Sequence, residues 1–144
     1  MRGFGAFENA MLAALVWGIS PIFEKLALKD ADPLACLLWR VLGTALGGLF
    51  LLPFIPRPGE AMAAVGLRGA ALVVTAGALA SVLGQVFMYS ALKHGEASRV
   101  SPVAGSWPLI VFVLAWVFLR EPFTARKAAG CAFVVFGVWL LRVP

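Results

Sequence analysis

The stretch "WGISPIFEKLAL", residues 17–28, decides how this chain is read. It closes an apolar run that begins near Asn9. A helix rises about 1.5 Å per residue, so about 20 apolar residues cross the hydrocarbon layer of a membrane. Yet the stretch contains Pro21, Glu24 and Lys25. A proline has no N–H to give, and its ring crowds the carbonyl four residues back, here that of Trp17. A charge at mid-bilayer costs about 2.5–3.5 kcal/mol on insertion scales, and less near the interface. The run is therefore a span only if its end meets water and protein in place of lipid.

Composition says that it is a span. Hydrophobic residues make up 62% of the 144 residues and charged ones 13%, whereas a soluble domain is about half apolar and a quarter charged. One core of this size cannot hide that excess, so lipid must solvate much of the surface. The formal charge of +5 does not point to nucleic acid, because the cations stand singly between apolar runs and form no patch. Basic residues at span ends are what a bilayer selects. Cys36 and Cys131 both lie in apolar runs and read as small packing residues. His94 is alone, so no metal constellation is expected. No nucleotide loop or nucleophile–base set is visible. The chain is read as a non-enzyme without a cofactor.

The expected fold is all-α: a polytopic membrane protein, one domain over residues 1–144, with five transmembrane helices near 9–28, 34–52, 67–92, 100–119 and 125–141. Asp32-Pro33 supplies an N-cap and a first-turn proline for the second span. His94-Gly95 stops the third. Thr124 caps the fifth, and Trp139 and Arg142 anchor its far end. The loop from Pro53 to Gly66, with "PFIPRPGE", is expected to hold a short surface helix. No small-residue cleavage pattern follows the first run, which is therefore read as a span and not a removable leader.

Five spans put the termini on opposite sides. Arg2, Arg57, Arg68, Arg120, Arg126 and Lys127 then share one face, and Lys25, Lys29, Lys93, Arg99 and Arg142 the other. Six against five is almost no bias for the positive-inside rule to act on. Two readings stay open: a weak preference for one orientation, or insertion both ways up with antiparallel pairing.

Polar and broken features inside the spans mark the candidate site. Pro21 is either a packing kink or the opening of a wet cavity beside Glu24 and Lys25. Arg40 stands two turns inside the second span and needs a carboxylate, free carbonyls or water. Glu24 is a candidate partner, since consecutive spans run antiparallel. Ser81, Gln85 and Tyr89 recur every four residues and make one polar stripe, either glue between helices or the lining of a path. In "SPVAGSWPL", Pro102 and Pro108 flank Gly105, Ser106 and Trp107. An interrupted helix of this kind exposes backbone dipoles at mid-membrane. Small residues at Gly43, Gly47, Ala76, Ala80, Gly84, Gly130 and Gly137 allow close helix packing.

"LVWGISPIFEKLAL", Arg40, "YSALKHGEASRVSPVAGSWPLIVFVLAWVFLREPFTARKAAG" and "GVWLL" together resemble one EamA repeat of the drug/metabolite transporter superfamily. The resemblance covers nearly the whole chain. It implies a membrane transporter of small organic metabolites or drugs, often an exporter. Typical members carry two inverted repeats and ten spans; this chain has one repeat. The resemblance therefore implies a homodimer or a second membrane subunit, in a bacterial or archaeal plasma (inner) membrane. Small relatives use a first-span carboxylate for proton coupling, and Glu24 is the residue here that could carry it.

Three functions stay open. In the first, substrate binds near the midplane among Trp17, Pro21, Glu24, Lys25, Arg40, Ser81, Gln85, Tyr89, Ser106, Trp107 and Pro108, with Arg40 meeting an anionic group. In the second, the chain is a subunit of a lipid-linked sugar flippase. In the third, it is a membrane scaffold in which Glu24 and Arg40 merely pair.

Overall fold

A computed structural model describes residues 5–141. Arg2 and Arg142, which enter the charge count, lie outside the described residues. Every regular element among the described residues is helical. The chain forms two compact units, Met1–His94 and Gly95–Pro144.

In the first unit, α1 spans Ala6–Ala27 and runs through Pro21 without a break. After a turn, α2 spans Pro33–Leu51. Its start is set by chemistry. The Asp32 carboxylate accepts from the amides of Leu34 at 2.9 Å and Ala35 at 3.2 Å, and Pro33 occupies a first-turn position where no N–H is needed. The helix tightens to a 3₁₀ turn over Leu52–Phe54, where Pro53 enters. The expected surface helix is α3, Pro58–Ala64.

The next span is one helical run from Gly66 to His94, 29 residues long. It has three parts: α4, Gly66–Gly77; a π-helical segment, Ala78–Leu83; and α5, Gly84–His94. The amide of Gly84 reaches back five residues to the Leu79 carbonyl. A Cβ on Gly84 would lie 3.3 Å from that oxygen, so glycine relieves the crowding where the wide turn closes.

Only Leu28, Leu37, Tyr89 and Leu92 are buried among the described residues. α5 packs on both α1 and α2, and this small core sits where they meet. Most large apolar side chains face outward, Leu15, Trp17, Phe50, Leu72 and Phe87 among them. In water such a surface would be an aggregation liability. In a bilayer it is solvated, and the helical backbone satisfies its own polar groups.

The second unit holds α6 (Ala97–Ala104), α7 (Trp107–Phe118) and α8 (Ala125–Leu140). The expected interruption falls between α6 and α7. The Gly105 amide donates to the Ser101 carbonyl at 2.7 Å, and the Ser106 amide and hydroxyl both donate to the Val103 carbonyl, at 3.1 and 2.7 Å. A Cβ on Gly105 would stand 3.1 Å from the Ser101 oxygen. Pro108 falls in the first turn of α7, where its missing N–H costs nothing. At the other end of α7 the amides of Leu119 and Glu121 both return to the Ala115 carbonyl, at 3.0 and 3.2 Å, with Arg120 left-handed at φ 54°. Thr124 Oγ1 then accepts from the Lys127 amide at 3.3 Å and caps α8.

Among the described residues, four helical segments are long and apolar enough to cross a membrane: Ala6–Ala27, Pro33–Phe54, Gly66–His94 and Ala97–Phe118. The protein is thus an all-α polytopic membrane protein. The fifth apolar stretch forms α8, whose 16 residues measure about 24 Å against a hydrocarbon layer of about 30 Å.

Candidate functional site

The polar groups of α1, α2 and α5 converge at one end of the first unit. Glu24 lies one turn from the end of α1, and Arg40 lies two turns inside α2. Arg40 Nη1 pairs with Glu24 Oε1. The Glu24 side chain is 9% exposed and the Arg40 side chain 31%, so the carboxylate is the enclosed partner and the guanidinium the accessible one. Ser20, one turn earlier on α1, donates its hydroxyl to the same Glu24 oxygen at 2.9 Å. From α5, Tyr89 is buried and lies within electrostatic reach of both Glu24 and Arg40. The expected Glu24–Arg40 partnership is present. Ser20 was not anticipated, although its i, i+4 spacing to Glu24 was the available signal.

Lys25 points elsewhere. Its ammonium donates to the Leu92 carbonyl near the end of α5. Lys93 answers from α5: its ammonium donates to the carbonyls of Leu28 at 2.6 Å, Ala31 at 3.1 Å and Lys29 at 3.2 Å. Each helix thus offers a lysine to the carbonyl end of the other. A helix C-terminus carries unsatisfied carbonyls and a partial negative charge, so a cation there is doubly favoured. Leu28 and Leu92, at 1% and 0% exposure, are sealed beneath this crossed pair of lysines. The charges in residues 17–28 are therefore held by protein, not offered to lipid.

The stripe on the third span is partly realised. Tyr89 is buried, and Ser81 and Gln85 are half-buried among mostly exposed neighbours. Ser81 lies in the π-helical segment, and Gln85 follows it by one turn. Gln85 Oε1 is buried without a hydrogen-bond partner among the described residues. A buried acceptor left unpaired is costly, so this oxygen is suited to a donor from outside the unit.

Pro21 is half-buried beside the pair, while Trp17 is exposed at 63% and is not drawn into the cluster. Ser106, Trp107 and Pro108 belong to the second unit, with Ser106 half-buried in the turn and Trp107 and Pro108 exposed. Of the small residues, Gly43, Gly47, Ala76, Ala80, Gly84 and Gly130 are exposed and Gly137 is half-buried. A Cβ at Gly43, Gly47, Gly130 or Gly137 would find open space.

The EamA-like transporter family profile matches residues 8–143. An uncharacterized protein of Methanocaldococcus jannaschii is 25% identical over 135 residues, covering 92% of this chain and 93% of that protein. An uncharacterized transporter of Archaeoglobus fulgidus is 26% identical over 133 residues, covering 91% of this chain and 46% of its own length. An uncharacterized protein of Pseudomonas aeruginosa is 30% identical over 135 residues, covering 93% of this chain and 44% of that protein. The chain thus spans nearly all of the first relative and less than half of the other two. No solved structure matches it.

Proposed function

The chain belongs to the EamA-like transporter family, and on that premise we propose that it exports small organic metabolites or drugs as an antiparallel homodimer. The family's members are transporters, not enzymes. The observation that carries the reading is the polar cluster of Glu24, Arg40 and Tyr89 in a unit whose long helices otherwise turn mostly apolar side chains outward. Intramembrane ionisable groups are expensive and mark transport paths by default. Arg40, the more accessible partner, meets an anionic group of the substrate. Glu24 takes up a proton as it gives up Arg40, which couples substrate to proton movement. Lys25 and Lys93 hold the ends of α1 and α5 around the cluster. The orphan oxygen of Gln85 receives a donor one turn deeper, with Ser81 lining the path beyond it. Trp17 supplies flat apolar contact in the first unit; in the second, Trp107 offers a surface of the same kind and the turn at Ser106–Pro108 offers backbone dipoles.

Two observations favour a pair of inverted chains. Two relatives are long enough to hold two such repeats each. The basic residues are split almost evenly between the two faces, which leaves orientation unbiased. In this reading α8, anchored by Trp139, completes a fifth span, and the chain acts as a single domain. The relatives' sources, two archaea and a bacterium, favour a plasma or inner membrane.

The assembly is tested by labelling. Asp30→Cys and Pro122→Cys are made singly in a chain carrying Cys36→Ser and Cys131→Ser, then exposed to an impermeant thiol reagent on intact cells. Both positions lie in exposed connections. Each is expected to label in about half of the molecules, because chains inserting both ways up present each end equally to the outside. Full labelling of one and none of the other defeats the homodimer. Export is tested in everted membrane vesicles with a panel of labelled organic anions and an imposed pH gradient. Uptake no greater than in vesicles without the chain defeats the transport reading.

A further inference from the structure

The second unit carries a separate recess that the polar cluster does not use. α7, the loop after it and the start of α8 enclose a groove of about 280 Å³. Its walls are apolar, with Val111, Ala115, Trp116 and Leu119 along α7, and its mouth is polar, with Glu121 and Lys127. Phe123 holds the loop against α7 through ring contacts with Phe112 at 5.5 Å and Trp116 at 6.0 Å. The groove runs along α7 from Pro108 to Leu119, about 16 Å at 1.5 Å per residue, or half of a hydrocarbon layer of about 30 Å. Its depth is that of one leaflet.

The mouth is basic. Lys127 Nζ lies 3.4 Å from Glu121 Oε2 and 3.5 Å from the Pro122 carbonyl. Both are long for a charged hydrogen bond, which settles nearer 2.8 Å, so the ammonium is loosely held and keeps donor capacity. Arg120 and Arg126 are exposed and in no ion pair among the described residues. Arg120 and Arg126 are the chain neighbours of Glu121 and Lys127, so residues 120–127 carry three cations against one carboxylate beside an apolar slot one leaflet deep.

We propose that this groove is a binding site for an anionic glycerophospholipid, with one acyl chain along Val111, Ala115 and Leu119 and the phosphate on Lys127. Charge complementarity selects the headgroup, and groove length selects the chain. A juxtamembrane cation adds about 1 kcal/mol toward anionic lipid, which is about fivefold in affinity. Trp116, at the polar end of the slot, sits where aromatic rings gather at membrane interfaces.

The site is tested on the purified, delipidated full chain by native mass spectrometry. Dioleoylphosphatidylglycerol, dioleoylphosphatidylcholine and inorganic phosphate are titrated separately. Phosphatidylglycerol is expected to bind at least fivefold more tightly than phosphatidylcholine. Lys127→Gln is expected to remove about fivefold of that preference, and Lys29→Gln, in the other unit, none of it. Ala115→Trp, which fills the slot, is expected to lose both lipids. Val111→Phe fills it from one turn away and serves if circular dichroism shows Ala115→Trp to be unfolded. Equal binding of the two lipids, or an unchanged preference in Lys127→Gln, overturns the proposal. Phosphate binding that survives the filling variants makes the mouth a plain anion site and also overturns it. So does a change of oligomeric state in a filling variant with lipid binding intact, which would assign the groove to a second copy of the chain.

Discussion

Replacing Arg40 with alanine is expected to abolish transport, by at least 100-fold, while inserted protein accumulates at the level of the unaltered chain. The substitution removes the accessible cation of the cluster and leaves Glu24 enclosed beside Ser20 and Tyr89. Breaking a buried ion pair costs about 3–5 kcal/mol when the remaining charge stays charged. A carboxylate escapes that cost by taking a proton. The fold is thus kept at the expense of the state that Arg40 would release. A scaffold function predicts something different. If the pair were structural only, Arg40→Met with Glu24→Met would preserve the fold and every other property, because a well-packed apolar pair replaces a buried ion pair without penalty. Measuring vesicle uptake and inserted protein for the single and double variants separates the two. Loss of uptake in step with loss of folded protein would reduce the pair to a structural element. Loss of uptake alone, in both variants, assigns it to the transport path.

The helices were legible wherever a local rule applies. The start of α2 follows from one carboxylate and one proline, Asp32 and Pro33, because capping is settled within three residues. The interruption at Gly105–Ser106 follows from prolines on either side of it. The Glu24–Arg40 pair was legible for a different reason: consecutive spans run antiparallel, and a charge at that depth has few partners to choose from. Harder to read was anything settled across the fold. The crossed lysines join positions 62 or more residues apart, and Lys25 alone is equally consistent with a side chain reaching for the interface. The π-helical segment leaves no mark in hydrophobic period; its one sign is Gly84, placed where a Cβ would crowd the Leu79 carbonyl. The groove on α7 depends on how the six-residue loop 119–124 folds back, which ring contacts decide and composition does not. Trp17 shares a face of α1 with Ser20 and Glu24 but stands two turns before Glu24, and within its unit it is 63% exposed; what covers that ring is not a local matter either.

Lys93→Met is expected to destabilise the first unit by about 2–4 kcal/mol, more than any other single lysine replacement in it. Lys93 is the donor to three carbonyls at 2.6, 3.1 and 3.2 Å. Hydrogen bonds to a charged group contribute about 1.5–3 kcal/mol each when isolated, and a buried group left unsatisfied costs its full desolvation. The sum is discounted here because Lys29 is exposed and water can reach its carbonyl, whereas Leu28 is sealed. Methionine keeps the apolar stem of the side chain, so the loss reports the ammonium and not the packing. Lys93→Arg should fall between the two, since a planar guanidinium cannot place one point charge among three converging carbonyls. Lys29→Met is the control: its side chain is exposed, and a surface change of this kind stays within about 0.5 kcal/mol. Denaturant titration in mild detergent, followed by helical circular dichroism, ranks the three. A midpoint for Lys93→Met equal to that of Lys29→Met would mean that water replaces the ammonium at the end of α1 at no cost. A large drop for Lys93→Met shows that its charge closes the carbonyl end of α1, while Lys25 still holds the Leu92 carbonyl of α5.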